Sequence, residues 1–205
     1  MTLVAGIVHY GVGNIGSIVS AFRKIGVETV IVSEENDVRE CDLLIFPGVG
    51  SFDSAITRLR RILPSLDKVV AGIPILGICL GMQILFESSE EGRESGLAVF
   101  KGRVTLLRSN VIPHIGWNTV RITKETPLIC GVPDNSYFYF AHSYCVEIDN
   151  AEAGYVAGIT EIGHSRFVSI ISDEKRAIYG TQFHPERSSK VGLKLLQNFV
   201  TLAKK

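Results

Sequence analysis

The chain of 205 residues (22.4 kDa) carries 21 basic and 21 acidic side chains, so its formal net charge is +0. A neutral chain has no general attraction to nucleic acid or to an acidic membrane surface. A hydrophobic content of 46% excludes intrinsic disorder. The apolar stretches fall short of the ~18 residues that a membrane span needs. We therefore expect one globular domain over 1–205 that binds neither nucleic acid nor membrane.

The first third of the chain alternates strand-like and helix-like segments. Apolar strands are predicted at 3–8, 28–32, 43–46 and 75–78, and helices at 15–25, 51–63 and 80–86. The run Leu43–Phe46 is continuously apolar, which is typical of a parallel strand covered on both faces. This order predicts an α/β fold with a doubly wound, mostly parallel sheet flanked by helices.

The pattern changes after Ser95. Short strand-like runs at 99–107, 119–122, 137–144, 167–171 and 177–183 lie between turn signals, which predicts additional antiparallel strands in the second half. A last helix is predicted from about Ser189 to the end of the chain. No repeat or linker divides the sequence, so it is interpreted as a single domain.

The strongest local motif is Gly77-Ile78-Cys79-Leu80-Gly81, between a predicted strand and a predicted helix. It has the form of a nucleophile elbow with cysteine as the nucleophile. Such a turn raises the sulfur above the sheet and places it at a helix N-terminus, which favours the thiolate. The N–H of Leu80 then points toward an oxyanion beside the sulfur. A buried cysteine in an ordinary tight turn is the alternative interpretation.

A second motif is His184-Pro185-Glu186, just after a predicted strand. Residues two apart in an extended chain point the same way, so Glu186 can reach the ring of His184. A carboxylate on one ring nitrogen fixes the tautomer and leaves the other nitrogen as a base. The alternative is a surface His-Pro turn. A zinc site is not expected, because the Pro-Cys-x-x-Cys segment that accompanies His-x-Glu in zinc deaminases is absent.

Cysteine usage bears on the cellular compartment. Cys41, Cys79, Cys130 and Cys145 form no C-x-x-C pair, which argues against zinc and redox motifs. Free thiols in a chain whose N-terminus does not resemble a signal peptide are typical of a reducing cytoplasm.

Two glycine-rich loops follow predicted strands. The segment Gly11–Gly16 matches G-x-G-x-x-G, which leaves a dinucleotide site open as an alternative. His9 and Tyr10 lengthen the turn before it, and no hydride-transfer motif follows. The loop Pro47–Gly50 lies at the carboxyl end of a strand, where α/β sheets bind ligands. Its position beside the Cys79 strand favours a second oxyanion donor over an ordinary connection.

The Cys79 elbow together with His184-Pro185-Glu186 resembles the class I (triad) glutamine amidotransferases, whose Cys-Leu-Gly-Met-Gln pattern is intact at 79–83. Further segments resemble the glutaminase subunits of imidazole glycerol phosphate synthases. These are YGVGN at 10–14, PGVG at 47–50, PHIGWN at 113–118, AHSY at 141–144 and FHPERS at 183–188. The resemblance covers residues 3–200.

The resemblance implies hydrolysis of L-glutamine to glutamate and ammonia through a cysteinyl thioester, with no cofactor and no metal. Cys79 would be the nucleophile, His184 the acid and base, and Glu186 the residue that orients His184. The N–H groups of Leu80 and of Val49 or Gly50 would hold the oxyanion. Contacts to the substrate are implied for Gly48, Gln83, His142, Ser143 and Tyr144.

The resemblance also implies a partner. In this family, ammonia passes to a (β/α)₈-barrel cyclase in a cytoplasmic heterodimer, which makes imidazole glycerol phosphate and aminoimidazole carboxamide ribotide for histidine biosynthesis. The face toward the cyclase would be lined by Tyr10, Asn14, Trp117 and Asn118, all expected in loop-like settings. A paralogue that feeds ammonia to another synthase, such as one that modifies a surface sugar, stays open, because the sequence does not identify the acceptor.

Overall fold

The structure, a computed structural model, describes residues 3–10, 15–48, 50–66, 69, 72–152 and 154–203. Asn14 and Val49, and with them most of the Gly11–Gly16 motif, lie outside the described residues. Within these ranges, no helix has the length and apolar character required to cross a membrane.

Two β-sheets and four α-helices make up the described part of the chain. The strands are β1 (Val4–Val8), β2 (Glu28–Val32), β3 (Leu43–Phe46), β4 (Ile75–Ile78), β5 (Ser88–Ser89), β6 (Arg103–Leu106), β7 (His114–Ile122), β8 (Ser136–His142), β9 (Tyr144–Val146), β10 (Val156–Ile162), β11 (Ser165–Asp173) and β12 (Ile178–Thr181). The helices are α1 (Ile15–Lys24), α2 (Phe52–Ile62), α3 (Leu80–Gln83) and α4 (Ser189–Leu202).

The main sheet has the order β2-β1-β3-β4-β12-β11-β10-β7-β8 among the described strands. Strands β2, β1, β3, β4 and β12 are parallel, and β12, β11, β10, β7 and β8 are antiparallel to their neighbours. The smaller sheet has the order β5-β6-β9. This mixed α/β architecture confirms the predicted fold class.

Helices cover both faces of the parallel strands. Leu43 and Ile45 of β3 lie in one core cluster with Phe22 of α1 and Phe199 of α4. Leu44 and Phe46, which point the other way, lie in a second cluster with Ile56 and Leu59 of α2. Alternate side chains of β3 therefore feed two cores, which explains why the predicted strand is apolar at every position.

The predicted helix over 80–86 is wrong in length, because α3 ends at Gln83. The next carbonyl groups turn to another segment: Ile84 O accepts from Leu97 N at 2.8 Å, and Leu85 O accepts from Phe100 N at 3.0 Å. These long-range bonds compete with continued helix formation. Local periodicity carries no signal of them.

The second half also departs from the predicted boundaries. Strand β7 begins at His114 rather than at 119, so Trp117 and Asn118 lie on a strand and not in a loop. Strand β10 carries no predicted counterpart. Its Gly158 lies where a Cβ atom would be 2.9 Å from Val120 Cγ1, so a close packing contact requires a residue that weakens the strand pattern.

Candidate active site

Cys79 follows β4 directly and precedes α3. Its backbone has φ 53° and ψ −109°, a strained conformation for a residue other than glycine. A Cβ atom on Gly81 would lie 1.8 Å from the carbonyl oxygen of Phe46, and one on Gly77 would lie 2.4 Å from that of Gly81. The two glycines therefore permit the sharp strand-to-helix turn that the sequence predicts.

His184 reaches the same edge of the sheet from β12, the parallel neighbour of β4. Cys79 N donates to Thr181 O at 2.7 Å, which ties the elbow to the end of β12. The Nδ1 atom of His184 lies 2.9 Å from Glu186 Oε1, and both side chains are buried. The contact between His184 and Glu186 that residue spacing predicts is present.

Electrostatics favour a charged His184 ring. Burial lowers the pKa of His184, but its hydrogen bonds with the side chains of Cys79 and Glu186, and their negative charges, raise it to about 10. Since Glu186 occupies Nδ1, Nε2 is the ring nitrogen left for the sulfur. A protonated imidazole beside Cys79 stabilises the thiolate. The arrangement therefore supplies a nucleophile and a proton donor in contact.

A buried amide pair supports the sulfur from the other side. Gln182 Nε2 donates to Cys79 Sγ at 3.6 Å, and Gln182 Oε1 accepts from Gln83 Nε2 at 3.1 Å. Gln83 Nε2 also donates to Tyr144 O at 2.7 Å. The sequence analysis assigned no role to Gln182, although its spacing of two from His184 already places both side chains on one face.

A cavity of about 360 Å³ opens beside the sulfur. It brings together eight residues expected at the site from the sequence: Gly48, Gly50, Cys79, Leu80, Gln83, His142, Ser143 and Tyr144. Glu91, Pro113, Ile115 and Ala141 complete the lining. The cavity is therefore adjacent to the nucleophile and is walled largely by residues that the sequence analysis singled out.

Glu91 is the charged residue that the sequence analysis missed. Burial raises its pKa, and its Oε2 accepts a hydrogen bond from Phe52 N at 2.9 Å. A carboxylate in the cavity wall suits a cationic group of a ligand. Glu91 belongs to a run of charged residues at 90–94, and nothing in that run distinguishes it from a solvated loop.

The loop after β3 packs directly on the elbow. A Cβ atom on Gly48 would lie 2.3 Å from Ile78 O and 2.6 Å from Cys79 Cβ, so only glycine permits this approach. Gly50, at φ +109°, also lines the cavity. The N–H of Leu80 and the backbone of this loop thus flank the position of an oxyanion beside the sulfur.

The expectation that Tyr10 faces a partner is wrong. Its side chain is 1% exposed, and its hydroxyl donates to the carbonyl oxygen of Pro47. Burial raises the pKa of Tyr10 well above its usual range. The aromatic ring packs edge-on against Phe46, which accounts for its burial. Tyr10 therefore supports the loop at 47–50 from within the protein.

Trp117 and Asn118, the other described residues expected at the partner face, do reach the surface. Trp117 is 52% exposed and Asn118 is half-buried. Ile115 and Tyr137 on the same strand pair are 64% and 61% exposed. These four residues of β7 and β8 form an apolar surface beside the cavity, which we call the β7–β8 surface.

The other thiols lack this chemical setting. Cys145 is fully buried, and burial raises its pKa. Cys41 lines a separate cleft of about 520 Å³ at the opposite edge of the sheet, where burial and neighbouring carboxylates raise its pKa to about 11. Its Sγ is engaged with Asp37 O at 3.3 Å. These thiols stay protonated near neutrality, unlike a thiol paired with a charged histidine.

Comparison with known proteins agrees with this geometry. Residues 7–203 match the family "Glutamine amidotransferase class-I". The chain is 44% identical over 200 residues to "Imidazole glycerol phosphate synthase subunit HisH" of Methanocaldococcus jannaschii, which covers 96% of this chain and 98% of that one. The protein of the same name from Methanopyrus kandleri is 45% identical over 199 residues, with coverage of 95% and 96%.

Solved structures repeat the fold at lower identity. "Structure of PurLQS from Thermotoga maritima" aligns with a TM-score of 0.76 at 18% identity and covers 98% of this chain and 99% of that chain. A structure titled "Crystal structure of glutamine amidotransferase" aligns with a TM-score of 0.76 at 17% identity, with the same coverage. The sequence match extends along almost the whole chain, and the protein belongs to the class I glutamine amidotransferases and, among them, to the HisH subunits of imidazole glycerol phosphate synthase.

Proposed function

We propose that this protein is the glutaminase subunit of an imidazole glycerol phosphate synthase, and that residues 1–205 form one glutaminase domain. It hydrolyses L-glutamine to glutamate and ammonia and delivers the ammonia to a cyclase subunit in histidine biosynthesis. The observation that carries the proposal is the contact between Cys79, on its strained elbow, and a His184 ring that is hydrogen-bonded to Glu186.

In the proposed reaction, the Cys79 thiolate attacks the side-chain amide carbon of glutamine. The carbonyl oxygen becomes an oxyanion that the N–H of Leu80 and an N–H of Val49 or Gly50 stabilise. The protonated His184 gives its proton to the amide nitrogen, the carbon–nitrogen bond breaks, and ammonia leaves behind a thioester. Neutral His184 then takes a proton from water, the hydroxide attacks the thioester, and the released thiolate completes the cycle.

The rest of the cavity recognises the amino-acid end of glutamine. Glu91 supplies a negative charge for the α-ammonium group, which is favourable in a partly buried wall. Gln83 and the 142–144 segment provide amide and main-chain groups for the polar atoms of the substrate. Gly48 lets the loop backbone approach the scissile amide.

We further propose that the partner is a (β/α)₈-barrel cyclase, in a cytoplasmic heterodimer, and that it docks on the β7–β8 surface. Exposed aromatic residues such as Trp117 and Tyr137 are the type enriched at interface anchors. Asn14 is proposed at the same interface on the resemblance alone. The reduced cysteines support a cytoplasmic location.

The test is steady-state glutaminase activity of the purified chain alone and with the cyclase subunit and its nucleotide ligand. We expect about 10²–10³-fold activation by the loaded cyclase, the size of one oxyanion donor, if the loop at 47–50 completes the oxyanion site on docking. Equal rates in all conditions would contradict this coupling. Activation by a sugar-modifying synthase instead would assign the chain to a paralogous complex.

A further inference from the structure

A row of side-chain hydrogen bonds connects the β7–β8 surface with the cavity wall. Tyr144 O lies 2.8 Å from His142 Nδ1, and His142 Nε2 lies 3.1 Å from His114 Nδ1. His114 Nε2 lies 3.4 Å from Asn118 Nδ2. His114 and His142 are cross-strand partners in the register of β7 and β8, so their side chains share one face of the sheet. The proposed reaction assigns no role to His114.

The two ends of this row fix where its protons lie. A carbonyl oxygen only accepts, so Nδ1 of His142 carries a proton toward Tyr144. At the other end, Asn118 Oδ1 accepts from Thr119 N at 2.8 Å, which orients the amide. The Nδ2 group of Asn118 therefore faces His114, and because it only donates, Nε2 of His114 carries a lone pair.

The central bond follows from the two ends. His114 has its proton on Nδ1, directed at the unprotonated Nε2 of His142. Both rings are then neutral Nδ1–H tautomers, and every hydrogen bond runs from Asn118 toward Tyr144. Burial, which lowers the pKa of both histidines, favours the same neutral state. Stacking on Phe140, with ring centroids 4.8 Å apart, holds the His114 ring in place.

We propose that His114 is a positioning residue of the glutamine site: as the donor to His142 it holds the 142–144 segment in place beside Cys79. Its kinetic consequence rests on the proposed function, whereas the tautomers do not. Tyr144 O accepts both from His142 and from Gln83, and Gln83 bonds Gln182, whose amide donates to the nucleophilic sulfur. Loss of the His114 donor therefore loosens the wall that touches substrate without removing a reacting group.

The first test is ¹⁵N NMR of the full chain labelled at histidine, at pH 7.5, with the ring signals assigned by single substitutions. We expect both His114 and His142 to show a protonated Nδ1 and an unprotonated Nε2. An Nε2–H tautomer or a charged ring at either residue would overturn the proposal. This readout is independent of glutaminase activity, so it separates failure of the inference from failure of the proposed function.

The second test compares His114→Leu with His114→Asn, whose amide nitrogen retains a donor near the Nδ1 position. With the cyclase present, we expect His114→Leu to raise KM for glutamine about 2- to 12-fold, the range for one lost hydrogen bond, while kcat changes less than 2-fold. His114→Asn should restore most of the KM. A loss of thermal stability in both variants with unchanged KM would mean a structural role only and would refute the proposal.

Discussion

The hydroxyl of Tyr10 donates a hydrogen bond to the main-chain carbonyl of Pro47, so the end of β1 holds the start of the loop after β3. That loop packs on the Cys79 elbow through Gly48, where no side chain fits. A buried hydroxyl that does not touch the cavity thus fixes the backbone from which an oxyanion donor would come.

Replacing Tyr10 with phenylalanine tests this support. We expect Tyr10→Phe to lower the free energy of unfolding by about 0.5–1.5 kcal/mol, the contribution of one hydrogen bond. It should also lower kcat, by less than the ~10²–10³-fold that loss of a whole oxyanion donor costs. Tyr155→Phe is the matched control, because the Tyr155 hydroxyl donates to the carbonyl of Lys101, away from the cavity. An equal fall of kcat in both variants would contradict a specific role of Tyr10.

Covalent labelling tests the assignment of the nucleophile. A chloroketone analogue of glutamine should modify Cys79 in stoichiometric amount, because only this thiol has a charged histidine beside it. Cys79→Ser should lose labelling and at least about 10⁴-fold in rate, as for members of other catalytic triads. Cys130→Ser is the control, since Cys130 is exposed but lies outside the cavity. Labelling of Cys130 or Cys145 in place of Cys79 would refute the assignment.

The pKa of His184 reports its coupling to both neighbours. Because Cys79 and Glu186 raise the pKa of His184 to about 10 against the effect of burial, removing either charge should lower it. We expect NMR titration of Cys79→Ala and of Glu186→Gln to give lower values than the wild type. Glu186→Gln should lose less activity than His184→Ala, since Glu186 acts only through the ring. An unchanged pKa in both variants would show that the three residues do not interact.

His142 makes stability depend on pH in a defined window. Burial lowers its pKa from 6.5 to about 3, so below pH 6.5 the unfolded chain binds a proton that the native state does not bind. The free energy of unfolding therefore falls on acidification, by up to about 1.4 kcal/mol per pH unit, until pH 3 is reached.

Urea unfolding at pH 7.5 and pH 5.0 measures this effect. His142→Gln lacks the titrating ring, so its stability deficit relative to the wild type should shrink by up to about 2 kcal/mol at the lower pH. His164→Gln, at a residue without a resolved burial in the core, is the control and should show no such change. A deficit for His142→Gln that is equal at both pH values would mean that His142 titrates alike in both states.

Docking of the cyclase is tested at the β7–β8 surface. Trp117→Ala should weaken binding of the cyclase about tenfold or more, as truncation of an aromatic interface anchor does. Ile31→Ala is a control, because Ile31 is 42% exposed but lies on β2, at the other edge of the main sheet. Titration calorimetry measures both. Equal affinities for the two variants would exclude the β7–β8 surface as the interface.

The parts of the structure that sequence patterns predicted are those fixed by nearby residues. The apolar run Leu43–Phe46 is buried at every position, and the bounds of β2 and β4 agree with the prediction. The elbow was predictable because Gly77 and Gly81 are required by contacts within the turn and with the adjacent strand. The pairing of His184 with Glu186 follows from a spacing of two residues.

The features that the sequence did not reveal depend on contacts between distant segments. Tyr10 has the composition of a surface residue, and its burial depends on a loop 37 positions away. The role of His114 depends on the register of β7 with β8, which places it against His142. Glu91 lies in a charged run, and only the packing of its backbone near α2 brings its carboxylate into the cavity.

The adjacency of β4 and β12 has a consequence for the protein during its synthesis. Cys79 and Gln182 are 103 positions apart, yet they meet because these two strands pair side by side. A ribosome-bound chain that already contains the elbow still lacks the strand that carries His184. Glutamine hydrolysis therefore begins only once nearly the whole polypeptide has emerged, so unfinished chains release no ammonia.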